Sequence, residues 1–318
     1  MAVYTNLTDN DVAALMAQYD IGNAVTCEGI AEGVENTNYK LTTPQGRFIL
    51  TLFEKRVSET DLPFFMGVME RLAARRFPAP MPIAARSGSH LVRVAGKPAA
   101  IVSFLDGVWP RVWNGAHCAA IGDALARMHV ALDGFEQTRA NRLSIDGWET
   151  LIKPRLSEAE ALRPGLAAEV ARDLAEVRAA WPSQLPRGAI HADLFPDNAF
   201  FVGDQLSGVI DFYFACTDLL AYDLAACLNA WCFDGVRYDL ERGRAMIQAY
   251  ANVRPLSAGE RAALPVLARG AALRFFATRL TDWSTTPEGA TVTPKDPLEY
   301  ADKLRFHRQA QRAADYGA

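Results

Sequence analysis

The stretch HADLFPDN, residues 191–198, followed by VIDF at 209–212, is the most informative part of this sequence. Apolar runs lie on either side of a short polar segment, which predicts a β-hairpin with a two-residue turn at 204–205. Such a turn places Asn198 opposite Asp211 across the two strands. The alternative interpretation is an Asx-rich turn ahead of a hairpin, because Asp, Pro and Asn are ordinary turn residues.

The polar side chains of this segment predict a specific chemistry. Asn198 and Asp211 offer two oxygen ligands, which suit Mg²⁺, since this hard ion takes one or two protein ligands and leaves its other positions for phosphate oxygens and water. Asp193 lies five residues before Asn198 on the same loop. A carboxylate beside such an ion accepts the proton of an attacking hydroxyl. The pattern therefore favours phosphoryl transfer.

The periodicity of apolar residues changes along the chain. The first third is strand-rich, apart from helices near its start and over 58–76, whereas most of the remaining chain has helical periodicity. The composition shifts at Asp106-Gly107. We therefore expect two lobes, 1–105 and 106–318. The predicted strands of the first lobe are 24–31, 37–43, 47–54, 91–94 and 98–105, with a turn from Gly33 to Asn36 between the first two. Two helices are expected to begin with capping boxes, at Thr8 with Asp11 and at Ser257 with Glu260.

Charge, termini and cysteines exclude several classes of protein. The 318 residues include 33 basic and 37 acidic side chains, a net charge of −4, so no global positive field exists to attract a nucleic acid or an anionic membrane. No apolar run is long enough to cross a bilayer, and the first 39 residues contain no Lys or Arg that would suggest an export signal. The five cysteines form no CxxC pair. We expect reduced thiols and a cytoplasmic protein.

The pattern His-x-Asp-x-x-x-x-Asn followed closely by Asp resembles the catalytic core of the aminoglycoside phosphotransferase branch of the protein-kinase-like fold. Within that branch, three stretches are similar to bacterial homoserine kinases of the kinase-like type: 33–54, 274–283 and 294–307. The resemblance implies an α+β, two-lobed fold with a strand-rich N-terminal lobe and a mainly helical C-terminal lobe. It also implies an ATP- and Mg²⁺-dependent kinase that phosphorylates L-homoserine for threonine biosynthesis.

The same resemblance assigns roles to the residues of the loop. It implies that Asp193 is the catalytic base and that Asn198 and Asp211 hold Mg²⁺. His191 belongs to the catalytic loop, where a histidine in this position more often braces the backbone than transfers a proton. Asp223, in the AYDLA run, is expected to pin the loop from the following helix.

The nucleotide-binding residues depart from the kinase pattern. The third strand of such folds usually carries a phosphate-binding Lys, and here Thr51 stands at the matching position, with Lys40 and Lys55 as the nearby lysines. The phosphate loop lacks the full glycine pattern, so side chains have to take over part of its work. The residues implied to bind ATP are Asn36, Asn38 and Lys40 for the phosphates, and the backbone from Ser103 to Leu105 for the adenine.

Substrate recognition requires a cation for the carboxylate of homoserine and an acid for its ammonium group. Arg274 or Arg279 is the candidate for the carboxylate, because a guanidinium gives two parallel hydrogen bonds, and Asp282 is the candidate for the ammonium. The alternative for these three residues is a solvated surface charge. Asp218 contacts the substrate or caps the following helix, and Trp283 lines a pocket or fills the core. Phe275, Phe276 and Leu280 of the same stretch are expected in the core.

Two other functions compete with this one. The first is a kinase of another small hydroxyl compound, such as choline, ethanolamine or an aminoglycoside, which would use the same catalytic loop. The second is a catalytically silent nucleotide-binding protein, which the missing third-strand Lys suggests. Retention of Asp193, Asn198 and Asp211 together argues against the silent protein.

Overall fold

The computed structural model of the chain confirms the predicted α+β class, with a strand-rich first part and a mainly helical second part. Two sequence-based expectations lie at least partly outside the residues that the structure describes, namely the turn that begins at Gly33 and the nearby lysine at position 55, and they stay predictions. The described residues are 4–31, 36–54, 57–286 and 294–318.

The chain divides into two units, one of which takes in a segment from the middle of the sequence. The first unit comprises Met1–Gly107 and Ser207–Tyr213, and the second comprises Val108–Leu206 and Phe214–Ala318. The sequence-based boundaries differ, because they assign all of 106–318 to one lobe. The segment Ser207–Tyr213 belongs to the first unit because its backbone forms a hydrogen bond with that unit and its aromatic ring packs against aromatic rings of that unit.

The first unit is built on one antiparallel sheet with the strand order β1-β2-β3-β5-β4. Alternate side chains of its second strand are buried, which is the pattern of a strand with one face on a core. The predicted strands are confirmed, with ends that shift by up to two residues. Their bounds are β1 Thr26–Gly29, β2 Thr37–Thr43, β3 Gly46–Leu52, β4 Val92–Val94 and β5 Lys97–Ser103.

One face of this sheet packs against α1 (Asp9–Met16), whose start is a capping box. Thr8 Oγ1 accepts a hydrogen bond from Asp11 N at 3.2 Å, and Thr8 N donates to Asp11 Oδ2 at 2.9 Å. The box was predicted from the sequence and is confirmed. The core on this face joins Leu15 and Met16 of α1 to the buried strand residues Tyr39, Leu41, Leu50, Leu52 and Ile101.

The segment Ser207–Tyr213 is attached to the first unit by backbone and ring contacts. Val209 N donates to Pro78 O at 2.8 Å. The ring of Tyr213 lies edge-on to Phe53, with centroids 5.1 Å apart, and to Phe65 of α2 (Leu62–Ala74), at 5.8 Å. Tyr213 Oη also donates to Thr51 Oγ1 at 3.4 Å.

The second unit is mainly helical. Its long helix Ala258–Thr285 contacts at least five other helices among the described residues. None of the helices that the structure describes is both long and apolar enough to cross a membrane. The helices are α3 Gly115–Ala131, α4 Ile145–Ile152, α5 Leu156–Leu162, α6 Leu166–Ala180, α7 Leu220–Trp231, α8 Leu240–Val253, α9 Ala258–Thr285 and α10 Leu298–Gln309. Short 3₁₀ helices occur in both units, at Glu59–Asp61, Lys153–Arg155, Pro196–Asn198, Phe212–Phe214 and Ala313–Tyr316.

Helix α9 begins with the second capping box that the sequence predicted. Ser257 Oγ accepts from Glu260 N at 3.2 Å, while Ser257 N donates to Glu260 Oε2 at 2.9 Å. The side chains of Phe275, Phe276 and Leu280 are buried on this helix, as expected. The box fixes where the helix starts, and the apolar residues fix which side of it faces the interior.

Short strands carry the loops of the HADLFPDN region. β6 (Arg187–Ile190) pairs antiparallel with β9 (Cys216–Leu219), and β10 (Phe233–Asp234) pairs with β11 (Arg237–Tyr238). β7 (Ala199–Val202) and β8 (Gln205–Val209) form a separate two-stranded sheet.

The turn predicted at residues 204–205 is wrong, because the two strands leave only Gly203 and Asp204 between them. Gly203 takes a φ of +61°, which a glycine adopts without strain and which a tight hairpin turn requires. With the turn one residue earlier, the hairpin no longer places Asn198 opposite Asp211.

Close packing between two helices gives a stability prediction. A Cβ atom added to Gly122 of α3 would lie 2.1 Å from Met246 O of α8. The Gly122→Ala variant should therefore lower the free energy of unfolding by about 1–3 kcal/mol, as overpacking does, when measured by urea denaturation. Gly115 of the same helix is the control, since its added Cβ would meet Ala245 Cβ at 3.9 Å. Equal stability of the Gly115→Ala and Gly122→Ala variants would contradict this description of the helix contact.

Candidate active site

The loop that follows β6 is held by a buried carboxylate from helix α7. Asp223 Oδ2 accepts a hydrogen bond from His191 N at 2.8 Å, and its Oδ1 accepts one from Ala192 N at 2.8 Å. Ala192 has a φ of +66°, a left-handed conformation that is uncommon for residues other than glycine. The expectation that Asp223 pins the loop is confirmed. This carboxylate stabilises a backbone shape that an isolated loop would not favour.

Asp223 is supported in turn by a histidine that the sequence analysis did not single out. His129 of α3 places its Nε2 3.1 Å from Asp223 Oδ2 and its Nδ1 2.8 Å from Tyr250 Oη. Burial raises the pKa of Asp223, but the hydrogen bond and charge of His129 bring that pKa below its ordinary value. A lone histidine on an apolar helix gives no signal in the sequence that it serves a distant loop.

His191 is completely buried, and its ring faces the backbone of its own loop. Asp193 N lies 3.2 Å from His191 Nδ1, which accepts its hydrogen bond. A ring nitrogen engaged in this way holds the position of the next carboxylate. The contact supports the interpretation that His191 braces the loop.

Asp193 follows the braced residues His191 and Ala192 and is partly exposed, with 21% of its side chain accessible to solvent. Burial raises its pKa above the ordinary value, while the charges of Arg274 and His191 act in the opposite direction. Asn198 Nδ2 donates to Asp193 O at 2.8 Å. This bond fixes the amide of Asn198, so that its nitrogen faces the loop and its oxygen is the atom available to a cation.

Asp211, in the first unit, has a φ of +63°. Its neighbours are anchored, since Phe212 is buried and Tyr213 contacts Phe53, Phe65 and Thr51. A non-glycine residue in a left-handed conformation, held by the anchored residues that follow it, is a common feature of functional sites.

The predicted nucleotide-binding residues are largely engaged within the first unit. Asn36 Oδ1 accepts from Glu54 N at 3.2 Å, and Asn38 Oδ1 accepts from Thr51 Oγ1 at 2.8 Å. Lys40 Nζ lies 4.0 Å from Glu28 Oε2 and is half-exposed. Of these three side chains, that of Lys40 is therefore the most available to a phosphate.

The backbone expected to bind adenine is partly occupied. Ser103 N donates to Met81 O at 2.9 Å, and Phe104 N donates to Arg47 O at 3.2 Å. An adenine would therefore use the N–H of Leu105 or the carbonyl oxygens of this segment.

An ion pair in the first unit was missed by the sequence analysis. Lys97 at the start of β5 pairs with Glu54, whose carboxylate also accepts from Thr5 Oγ1 and Thr37 Oγ1 at 2.8 Å each. Burial raises the pKa of Glu54, but Lys97 and the two hydroxyls bring it below the ordinary value. Thr37 shares the α1 face of β2 with the core residue Leu41, so the pair lies on that face and not on the face of Thr51.

The predicted substrate residues divide into separate groups. Asp218 is buried in β9, where it accepts from Asn141 Nδ2 at 2.8 Å and pairs with Arg187 at 3.1 Å. The N-cap residue of α7 is Leu219 and not Asp218, but Asp218 Oδ1 accepts a hydrogen bond from Leu219 N at 2.8 Å. A contact of Asp218 with the substrate stays a prediction.

The charged residues of α9 point to different partners. Arg274 donates to Ala192 O and, at 3.3 Å, to Asp193 Oδ1, so the structure brings it to the catalytic loop. Arg279 donates to Glu299 Oε2 at 2.6 Å and to Asp296 O at 3.1 Å, at the start of α10. Asp282 is half-buried one turn further along. Trp283 does not fill the core, since 44% of it is exposed.

The chain is similar to a known enzyme family and to curated relatives along its whole length. The phosphotransferase enzyme family matches residues 26–256. A curated homoserine kinase of Rhizobium etli is 58% identical over 319 residues, which covers 100% of this chain and 99% of the relative. The homoserine kinase of Rhodospirillum rubrum is 55% identical over 318 residues, with 100% and 99% covered.

Solved structures with low sequence identity share the fold. A spectinomycin phosphotransferase in complex with ADP and spectinomycin has a TM-score of 0.68 at 11% identity and covers 98% of both chains. A choline kinase from Cryptosporidium parvum has a TM-score of 0.67 at 13% identity and covers 95% of both chains. The chain belongs to the phosphotransferase enzyme family, in the group of the bacterial homoserine kinases.

Proposed function

We propose that this protein is a homoserine kinase, which transfers the γ-phosphoryl group of ATP to the side-chain hydroxyl of L-homoserine. The product is O-phospho-L-homoserine, an intermediate of threonine biosynthesis. The observation that carries the proposal is identity of 58% to a curated homoserine kinase along the whole chain. The braced loop around Asp193 supports it, because phosphoryl transfer depends on fixed positions more than on covalent catalysis.

Asp193 is the base in this proposal. The hydroxyl oxygen of homoserine forms a bond to the γ-phosphorus, the bond from that phosphorus to the bridging oxygen breaks, and ADP leaves. The hydroxyl proton passes to Asp193. Burial raises the pKa of Asp193, and a more basic carboxylate accepts a proton more readily.

Asn198 and Asp211 are the proposed Mg²⁺ ligands. Both offer oxygen atoms, which this hard ion prefers, and the bond from Asn198 Nδ2 to Asp193 O turns the amide so that its oxygen is available. When bound, the ion neutralises the charge of the phosphate oxygens. Asn36, Asn38, Lys40 and the segment Ser103–Leu105 are the proposed contacts of the nucleotide.

Arg279 and Asp282 are the proposed contacts of the homoserine zwitterion. The guanidinium of Arg279 lies 4.5 Å above the Tyr300 ring and pairs with Glu299. Burial raises the pKa of Glu299, but Lys303 and Arg279 bring it below the ordinary value, so the pair is ionic. A substrate carboxylate would join or replace Glu299 as the partner of Arg279.

Substrate choice tests the proposal directly. With Mg·ATP, a coupled assay should give turnover with L-homoserine at a kcat/KM at least about 100-fold above that with choline or kanamycin, since a pocket built for a zwitterion leaves its charged groups unpaired with the wrong substrate. The serine analogue, one methylene shorter, is the matched control for chain length. Faster turnover of choline or kanamycin would favour the rival kinases, and absence of turnover with every alcohol would favour the silent protein.

Replacement of the base gives the second test. Asp193→Asn should lower kcat by about 10²–10⁴-fold with little change in the KM for homoserine, because the amide cannot accept the proton. Asp197→Asn is the matched control, since Asp197 lies on the same loop and pairs at 3.7 Å with Lys295. A kcat near that of the wild type in Asp193→Asn would remove Asp193 from the role of base.

The metal assignment is tested at Asp211. Asp211→Asn is the preferred variant, because Asn tolerates the left-handed backbone that Asp211 adopts. The Mg²⁺ concentration for half-maximal rate should rise by at least about tenfold, since one anionic ligand is lost, while the thermal unfolding midpoint without Mg²⁺ stays close to that of the wild type. Asp204→Asn in the hairpin turn is the control. An unchanged Mg²⁺ dependence in Asp211→Asn would show that another residue binds the ion.

A further inference from the structure

Arg274 of α9 is a buried cation that contacts the catalytic loop at two points. Its Nη1 donates to Ala192 O, and its Nη2 lies 3.3 Å from Asp193 Oδ1. Only 2% of the residue is exposed. One guanidinium therefore holds both the carboxylate of the proposed base and the carbonyl of the residue before it.

The contact to Ala192 completes a clamp on that residue. Asp223 binds the N–H of Ala192, and Arg274 binds its carbonyl oxygen. Ala192 needs such a clamp, because its φ of +66° is unfavourable for alanine. Ala192, the residue before Asp193, is thus held on both sides from two helices, α7 and α9.

Aromatic rings fix the guanidinium itself. The carbon at its centre lies 4.5 Å from the centroid of the Phe275 ring and 5.6 Å from that of Phe214. A guanidinium held over ring faces by cation–π contacts loses the freedom to swing toward solvent. Arg274 is therefore placed to hold the loop and is poorly placed to reach a substrate carboxylate.

The arrangement is not what stability alone would favour. Arg274 Nε is one of five buried side-chain polar atoms, among the described residues, that have no hydrogen-bond partner. A buried charge with an unsatisfied donor costs free energy. We therefore expect Arg274 to contribute to the reaction and not to the stability of the fold.

We infer that Arg274 is a positioning residue, which holds Asp193 in the orientation that accepts the hydroxyl proton, and not the anchor of the substrate carboxylate. This inference rests on the proposed function of Asp193 as the base. It leaves Arg279 as the candidate for the carboxylate.

The experiment compares two substrates and two arginines. L-Homoserine and 3-aminopropan-1-ol differ only in the carboxylate, so the ratio of their kcat/KM values measures how strongly the enzyme recognises that group. Wild-type turnover of homoserine is measured first, because its absence would refute the proposed function without bearing on Arg274. In that case the variants are compared with the best alcohol of the substrate panel.

Arg274→Met should lower kcat for both alcohols by the same factor, on the order of 100-fold, as a misplaced catalytic group does. The ratio between the two alcohols should stay within about threefold of the wild type, and the KM for ATP should stay unchanged. Arg274→Lys, which retains the charge but not the two-pronged geometry, should give an intermediate kcat.

Arg269 supplies the matched control, since it lies on the same helix and pairs with the buried Asp173, with its Nε 2.9 Å from Asp173 Oδ1. Arg269→Met should lower the thermal unfolding midpoint more than Arg274→Met does, and should leave kcat within about threefold of the wild type. These opposite effects separate positioning from a general loss of stability.

Two results would overturn the inference. A collapse of the homoserine preference in Arg274→Met, with kcat for 3-aminopropan-1-ol unchanged, would make Arg274 the carboxylate anchor. Equal losses of kcat and of thermal stability in Arg274→Met and Arg269→Met would assign both arginines a purely structural role.

Discussion

The carboxylate of Asp223 is the constraint on which the catalytic loop depends. It accepts the N–H groups of His191 and Ala192, and His129 keeps it ionised although it is completely buried. Three helices of the second unit, α3, α7 and α8, meet at this point through His129, Asp223 and Tyr250. A change in the packing of any of them would therefore be transmitted to Asp193, the residue after Ala192.

Each unit carries one of the proposed site carboxylates at or beside a residue with a left-handed backbone conformation. Ala192, beside Asp193, and Asp211 itself have left-handed φ angles of +66° and +63°. Each unfavourable conformation is held by anchored neighbours, through Asp223 and Arg274 in one unit and through Phe212 and Tyr213 in the other. Backbone strain of this kind persists only where the surrounding structure imposes it. The strain costs free energy, and its effect here is to fix the direction of a carboxylate.

Local patterns in the sequence predicted local structure, whereas most distant contacts were not predictable from it; the contact of Asp223 with the loop was expected only through the family resemblance. Alternation of apolar residues predicted the bounds of β2, and spacing of polar residues predicted both capping boxes. The turn at Gly203 was misplaced because apolar runs do not mark which residue takes a positive φ. His129 and Arg274 were missed or given another role, because their partners lie 94 and 81 residues away in the chain. A charged residue on a helix resembles a surface residue until its partner is known.

The substitution of Thr51 for a lysine changes how the first unit treats a nucleotide. Thr51 donates to Asn38 and accepts from Tyr213, so a neutral chain of hydrogen bonds joins β2 to the segment that carries Asp211. Of the two lysines that the structure describes in this unit, Lys97 pairs with Glu54 on the α1 face of the sheet, and Lys40 shares the face of Asn38. The fixed cation of the third strand is thus absent from its usual place and is not restored by the neighbouring strand β5. In the proposed function, Lys40 and an ion bound at Asp211 would neutralise the phosphate charge, and the neutral hydrogen-bond chain through Thr51 would contribute position instead of charge.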